Sequence, residues 1–389
     1  MYFENLINAM RRVVSFVCSI LLFSSLQHLR ACTDDFDCSL GGRCVNHVCN
    51  CFRAWKGVNC SELNLQASRN IRAFDRPHNQ SSWGGSVIWE NETQTFHMFA
   101  ADMTDHCGLD SWQHNSAIRH LVSNTPEGPY EPKEIILSSF SHNPTVHKAQ
   151  SGHYVIYHIG KGVHGSRPLI TTCHNGTTPR ELESGFQASP PPPIGSIIVP
   201  DMLFSESLRG PWSTYTPSQK GLGCNNPAAY MFPNGTTLLI CKVMSPEIRV
   251  MLVAKADNWK GPYHVVAHTN VYGEDPFIWR QPEDGSFHML LHSMKPTKIC
   301  TTAWSADGLQ WTPAFNANIS TTKSQTYPSY NHTITQIDGH GLVARRRERH
   351  QLLLNSGFLS GSGAPVAWLF NGVTTGEKDF SFTSVQAVG

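Results

Sequence analysis

Gly128-Pro129-Tyr130, Gly210-Pro211-Trp212 and Gly261-Pro262-Tyr263 are three copies of one phrase, and Asp307-Gly308-Leu309-Gln310-Trp311 is a looser fourth. A second phrase alternates with the first: His142-Asn143-Pro144, Asn225-Asn226-Pro227 and Glu274-Asp275-Pro276. Each copy of the first closes a run of strand-like sequence, and each copy of the second opens the next. Recurrence at about fifty residues marks a repeat architecture of four-stranded units, a β-propeller. Along the opening phrases the composition turns from neutral to acidic, ending in Glu274-Asp275. The inner strands of a propeller converge on its axis, so that change marks where chemistry is to be sought.

The sequence between the phrases supports an all-β chain. Apolar and aromatic runs of strand length lie at Thr95–Ala100, His153–Ile159, Thr237–Lys242, Glu247–Ala254, Phe287–Ser293 and Gln351–Ser356. Turn residues separate them, as in Pro233-Asn234-Gly235 and Glu283-Asp284-Gly285. Five units follow: Gly84 to Tyr130, His142 to Trp212, Asn225 to Tyr263, Glu274 to Trp311, and about Ile334 to Phe370. The fifth is expected to close the ring, because an open propeller leaves strand edges unpaired. The second is long, and its Pro190–Pro193 run reads as a stiff surface loop.

The chain has 389 residues, a net charge of +1 and only 15% charged residues. No basic stripe points to nucleic acid, and Arg345-Arg346-Arg347 is followed at once by Glu348. Arg347-Glu348-Arg349 reads as a solvated or salt-bridged strand, with an Arg that reaches the axis to bind an anionic sugar as the alternative. The 20 histidines are scattered rather than set at zinc-finger spacing.

The N-terminus has Arg11-Arg12 before an apolar run from Val13 to Leu26. This is expected to be a secretory signal peptide over residues 1–31, with a signal anchor as the alternative because the stretch before Arg11 is long. Sequons begin at Asn59, Asn79, Asn91, Asn175, Asn234, Asn318 and Asn331, as in a secreted glycoprotein. Six of the 12 cysteines fall between Cys32 and Cys60, spaced C-x5-C-x5-C-x4-C-x-C-x8-C. So short a segment cannot bury enough apolar area to fold alone, so bridges must hold it. Spacing alone leaves their pairing open.

The spacing, with Gly41-Gly42 before the third cysteine and Gly57 before the last, resembles the epidermal growth factor module. That resemblance implies Cys32–Cys44, Cys38–Cys49 and Cys51–Cys60. His28-Leu29-Arg30-Ala31 lacks the acidic pattern of calcium-binding members, so no calcium is expected there. The domain reading is therefore a signal peptide at 1–31, a growth-factor-like module at 32–60, a connector at 61–80 and the propeller at 81–389. Elsewhere, Cys224 and Cys241 flank the turn at Pro233–Gly235 and are expected to bridge. Among Cys107, Cys173 and Cys300, one pair at most can form.

The five units, with Glu274-Asp275-Pro276 opening the fourth and Gly339-His340-Gly341 in the fifth, resemble the propeller of glycoside hydrolase family 43 and its arabinanase, levansucrase and invertase relatives. The resemblance implies Glu274 as general acid and His340 as a holder of a central structural calcium, with no other cofactor required. Two positions depart from it. The family's base Asp is expected where this chain has Trp83-Gly84-Gly85, and a second Asp where it has Asn226.

Glycosidic cleavage needs one protonated carboxyl and one ionised carboxylate. Glu274 and Asp275 are adjacent and would face opposite ways on a regular strand. The partner is therefore expected on another blade, with Asp102 first and Asp105 or Asp201 as alternatives. His142 and Asn226 are candidates for binding sugar hydroxyls. Trp279 is a candidate for the stacking floor. The resulting expectation is a secreted glycoside hydrolase acting by inversion on a glycan substrate. The module would serve as a spacer or as a contact to a cell-surface or matrix partner. The alternatives are a non-catalytic glycan-binding or adhesion propeller, and glycosyl transfer on the same scaffold.

Overall fold

The computed structural model describes residues 32–75, 80–162, 169–171, 173, 197–198, 201–217, 222–243, 251–292, 300–314, 328–360, 363–376 and 380–389. The expected signal segment and the Pro190–Pro193 loop lie outside them. Five antiparallel blades surround one axis. The first is Ser81–Glu90, Thr95–Met103, Ser116–Ser123 and Glu131–Leu137; the second is Ser141–Lys148, Tyr154–Gly160, Met202–Ser205 and Ser213–Tyr215. The third is Leu222–Met231, Thr237–Val243, Met251–Ala256 and His264–His268; the fourth is Glu274–Arg280, Phe287–His292, Cys300–Ser305 and Thr312–Pro313. In the third, Ile197–Ile198 adds a short parallel strand beside Leu222–Met231.

The fifth blade differs from the unit read in the sequence. It runs from Arg346–Leu354 through Ala367–Thr374 to Ser381–Val388, and its outermost strand is Arg72–Phe74. Thr333–Thr335 and Gly341–Val343 form a separate hairpin instead. The ring thus closes by joining a strand from the stretch 61–80 to the last strand of the chain, with Phe74 opposite Thr383. This removes the free edge that an open ring would expose.

Apolar layers fill the spaces between neighbouring blades. Phe96, Met98 and Tyr130 of the first pack with Trp368 and Phe370 of the fifth, and Val155 and Tyr157 of the second with Leu239 and Tyr263 of the third. A strand covered on both faces reads as a continuous apolar run, which is why Phe287–His292 shows no alternation and is buried throughout. The Gly-Pro-aromatic phrases lead into or towards the outer strands, with their glycines at φ 79°, 80° and 87°, a region glycine enters without penalty. Tyr130 and Tyr263 are buried and donate their hydroxyls back to Pro126 O and Trp259 O at 3.1 and 2.9 Å.

The opening phrases are β-bulges. Register slips at the start of all five inner strands, between Trp83 and Ser86, His142 and Thr145, Asn225 and Ala228, Glu274 and Phe277, and Glu348 and Gln351. At each bulge one residue takes a left-handed backbone: Gly84, Asn143, Asn226, Asp275 or Arg349. A bulge bends its strand and re-aims its side chains. Here it sets one residue per blade at the axis, with a side chain in every blade but the first.

The disulfide-rich segment carries Cys32–Cys44, Cys38–Cys49 and Cys51–Cys60, and packs on the fourth and fifth blades. Trp55 stacks on Trp279 at 6.0 Å, His288 Nε2 lies 3.2 Å from Leu40 O, and Leu63 N donates to Ser329 O. Two further bridges join Cys107 to Cys173 and Cys224 to Cys241, leaving Cys300, among the described residues, as a buried thiol pushed up to about 12 by that burial. Among the described residues no helix is long and apolar enough to cross a membrane.

Candidate functional site

The site is built from the five residues that precede the left-handed ones and from their cross-strand partners. Trp83 faces Ala101, His142 faces Ile159, Asn225 faces Lys242, Glu274 faces His292, and Glu348 faces Gly372. Only the third and fourth blades place a polar residue opposite another. The ionisable mouth of the axis therefore lies over these two blades.

Glu274 is the centre of it. Its side chain keeps 25% of its exposure, one carboxylate oxygen is ion-paired with Lys242 Nζ, and the other lies 3.5 Å from His292 Nε2. His292 Nδ1 lies 3.5 Å from Asp275 Oδ2 on its other side. One imidazole thus bridges both adjacent carboxylates, an arrangement that a regular strand would forbid and that the bulge at Asp275 permits. Glu348 closes the group, held by Arg346 through two hydrogen bonds of 2.9 Å.

Burial pushes the Glu274 carboxyl upward, but His292 and Lys242 outweigh it and bring the group down to about 2. Burial likewise opposes the charge on His292, yet Glu274 and Asp275, with Glu348, raise its pKa. Asp275 is fully enclosed, and burial raises its carboxyl despite His292 and Arg349. The free protein therefore presents Glu274 as an ionised carboxylate beside a histidine whose cationic form is favoured by its carboxylate neighbours.

The remaining expected residues are placed as follows. His142 is buried, its Nδ1 is 2.6 Å from Ser116 Oγ, and burial with the nearby Arg349 lowers it to about 3. Its ring lies 5.0 Å from that of Trp112, and burial keeps it a neutral group. Asn226 accepts a hydrogen bond from Asn143 Nδ2 at 2.8 Å and ties two blades together on the axis. Asp102 lies on the second strand of the first blade, 1% exposed and ion-paired with Arg119 on the third. That pairing is within one blade and does not join the Glu274 group. Trp279 sits at the far end of the Glu274 strand, 4% exposed beneath Trp55, and is not brought to the mouth. Asp105 is exposed and accepts a 2.7 Å hydrogen bond from Thr104 Oγ1.

His340 is exposed in the turn of the Thr333–Thr335 and Gly341–Val343 hairpin, where its amide donates to Asp338 Oδ1. The structure does not bring it to the axis. A calcium ion takes six to eight oxygen ligands. The axial donors are instead Asp275, His292 and Glu348, one ligand atom each within 4.8 Å of one another. Cations of the protein already serve them: Arg346 on Glu348, and Arg349 Nη1 at 3.8 Å from Asp275 Oδ1. This set does not fit a resident calcium.

Lys242 and His292 stand outside the motifs, and Glu348 and Arg349 carry a reading only as part of Arg347-Glu348-Arg349. Lys242 and His292 had one legible signal, a polar residue near the end of an apolar second strand, facing an opening phrase.

No protein-family model and no curated protein matches the sequence. Solved structures do. The catalytic domain of a GH62 α-L-arabinofuranosidase from Coprinopsis cinerea has a TM-score of 0.51 at 9% identity, covering 84% of this chain and 97% of that one. A family 117 glycoside hydrolase from the marine bacterium Zobellia galactanivorans has a TM-score of 0.50 at 13% identity, covering 84% and 90%. A GH62 hydrolase in complex with xylotriose gives 0.50 at 9%, covering 84% and 97%. At these identities the likeness is one of fold: a five-bladed propeller of the kind glycoside hydrolases use.

Proposed function

We propose that this chain binds a glycan over the axial mouth and hydrolyses a glycosidic bond there, with Glu274 as the proton donor. The observation that carries the reading is a part-exposed carboxylate at the mouth of the axis whose strongest single influence is burial, which acts to raise its pKa. Lys242, itself part-exposed, is what opposes this from the solvent side. A sugar seated in the mouth excludes water and draws the ammonium into its own hydrogen bonds. Burial is then opposed by His292 alone, and the carboxyl moves towards holding the proton that leaving-group departure needs. Glu348, opening the neighbouring blade, is proposed as the base for water, and inversion then requires the two carboxyls to stand about 6.5–9.5 Å apart with substrate bound. The third reading, glycosyl transfer, predicts products longer than the substrate.

The proposed setting is extracellular. Five disulfides are formed, which suits an oxidising compartment. The sequon residues Asn91, Asn234 and Asn331 are exposed. The growth-factor-like segment is proposed as a docked cap rather than a free spacer, with its outer face left for a matrix or surface partner.

A second reading is glycan binding without cleavage. It is favoured by Trp83-Gly84-Gly85, which offers no carboxylate at the opening of the first blade, and by the Asp102–Arg119 pair. One experiment separates the two. Wild type and Glu274→Gln are assayed on a panel of plant, algal and animal glycans, with melts as a folding control. Loss of acid catalysis lowers kcat by about 10²–10⁴. Equal cleavage by both proteins removes Glu274 from the role, and binding without cleavage by folded wild type selects the second reading.

A further inference from the structure

Five residues with left-handed backbones meet at the axis, one from each blade. Four are types that tolerate this conformation: Gly84, Asn143, Asn226 and Asp275, at φ 62°, 54°, 48° and 52°. The fifth is Arg349 at φ 53°. A long side chain is disfavoured there and persists only where its surroundings over-determine it. The surroundings of Arg349 do so. It is 1% exposed; its Nη2 donates to Asn143 O at 2.7 Å and to Thr145 Oγ1 at 3.1 Å, and its Nη1 lies 3.8 Å from Asp275 Oδ1.

The first blade is shaped around this side chain. A Cβ on Gly84 would lie 2.6 Å from Arg349 Cγ. Glycine at the opening of the first blade and arginine at the bulge of the fifth are therefore two halves of one arrangement. The guanidinium Nε and Nη1 find no hydrogen-bond acceptor among the described residues. What Arg349 brings to the axis is thus its charge, placed against the enclosed carboxylate of Asp275. A buried carboxylate without a cation is strongly destabilising; His292 stands 3.5 Å from one oxygen of Asp275 and can lose its charge, whereas Arg349, 3.8 Å from the other, is charged at every working pH.

We infer that Arg349 is the built-in axial cation of this propeller: its guanidinium stands where the inner strands converge and the axis holds together without a divalent metal. The inference concerns the charge balance of the fold and stands apart from the proposed reaction.

The test uses the full chain. Wild type is dialysed against EDTA, melted with and without added Ca²⁺, and titrated with Ca²⁺ by calorimetry. The expected result is an unchanged Tm and no binding at the axis. Arg349→Met keeps bulk and Arg349→Lys keeps charge. The Met variant is expected to lose on the order of 5 °C or more in Tm, and the Lys variant clearly less. Equal loss in both would mean that Arg349 packs rather than neutralises, and would overturn the inference. So would Ca²⁺ binding by wild type that disappears in Asp275→Asn. The wild-type arms decide the matter even if the Met variant does not fold.

Discussion

The first two strands of the fourth blade end in the same way twice, with opposite results. At the axial end Glu274 faces His292 across the ladder; at the far end Trp279 faces His288. Both histidines lie on one strand and both are 1% exposed. The carboxylates around His292 raise it. His288 has Trp55 at 4.7 Å, with Leu40 O at 3.2 Å and Ser286 Oγ at 3.4 Å from its Nε2, and burial lowers it to about 4 despite Leu40 O and the more distant Asp284. Depth of burial therefore does not decide what a buried histidine does. Its ionic neighbours do, and in a propeller these are set by distance from the axis. One end of the strand is a charged site and the other a docking surface.

The sharpest way to break this contrast is Trp55→Ala. Removing a buried tryptophan costs about 3–5 kcal/mol. Melts should fall accordingly, with the disulfide segment becoming sensitive to protease. Turnover of any cleaved glycan should be retained, because Glu274 lies at the opposite end of the strand. A lost activity at full folding would merge the two ends into one functional unit.

Acid should separate the two histidines next. His288 has a folded pKa of about 4 against an ordinary 6.5. Its contribution is fully present above 6.5 and is lost as the pH falls from there through 4, by roughly 3 kcal/mol in all. His292 is raised, so its contribution is present below 6.5 and is lost as the pH rises through its folded value. Imidazole NMR titration should show His292 moving above 6.5 and His288 silent until near 4. Melts of His288→Gln should fall less between pH 7 and 4.5 than those of wild type. Parallel titration of the two rings would erase the comparison.

Gly84→Ala probes the axial end from the first blade. With a left-handed backbone and Arg349 Cγ 2.6 Å from the new methyl, a loss of about 1–3 kcal/mol is expected in denaturant unfolding. The same change at Gly152, which has open space around its Cβ position, serves as the control for backbone strain alone.

The smallest effect belongs to Lys242→Met. Without the ammonium, burial is less opposed and the Glu274 carboxyl should rise by at least about one pH unit, or 1.4 kcal/mol. If Glu274 donates the proton, the alkaline limb of kcat/KM moves to higher pH. An unmoved limb assigns the proton to another group.

The repeated phrases made the five blades readable because a bulge requires residues that accept a left-handed backbone, and Asn-Pro and Asp-Pro record that need in letters. Arg349 has the same backbone and none of the letters, so the fifth opening was placed too early, at Ile334. Arg72–Phe74 is three residues long and carries no pattern; only its pairing with Ser381–Val388 defines it. Glu274 was legible from its place in the repeat. Its partners were not, because Lys242 and His292 reach it across the sheet and sequence spacing is silent about register. Trp279 and Asp102 show the complementary limit: strand pattern tells that a side chain is buried, but not whether a sugar, a disulfide-rich segment or an arginine lies over it.

The seam at Arg72–Phe74 has a mechanical consequence. The strand lies between the disulfide-rich segment and the first blade, and around it Gln66 N bonds Ala387 O, Ser68 Oγ accepts from Ala387 N, and Ala73 O accepts from Tyr130 N. Once its docking on the fourth blade has given way, tension applied to the segment therefore passes along the chain to the join between the two ends of the ring. The clasp that closes the propeller is also the point at which a pull from outside would open it.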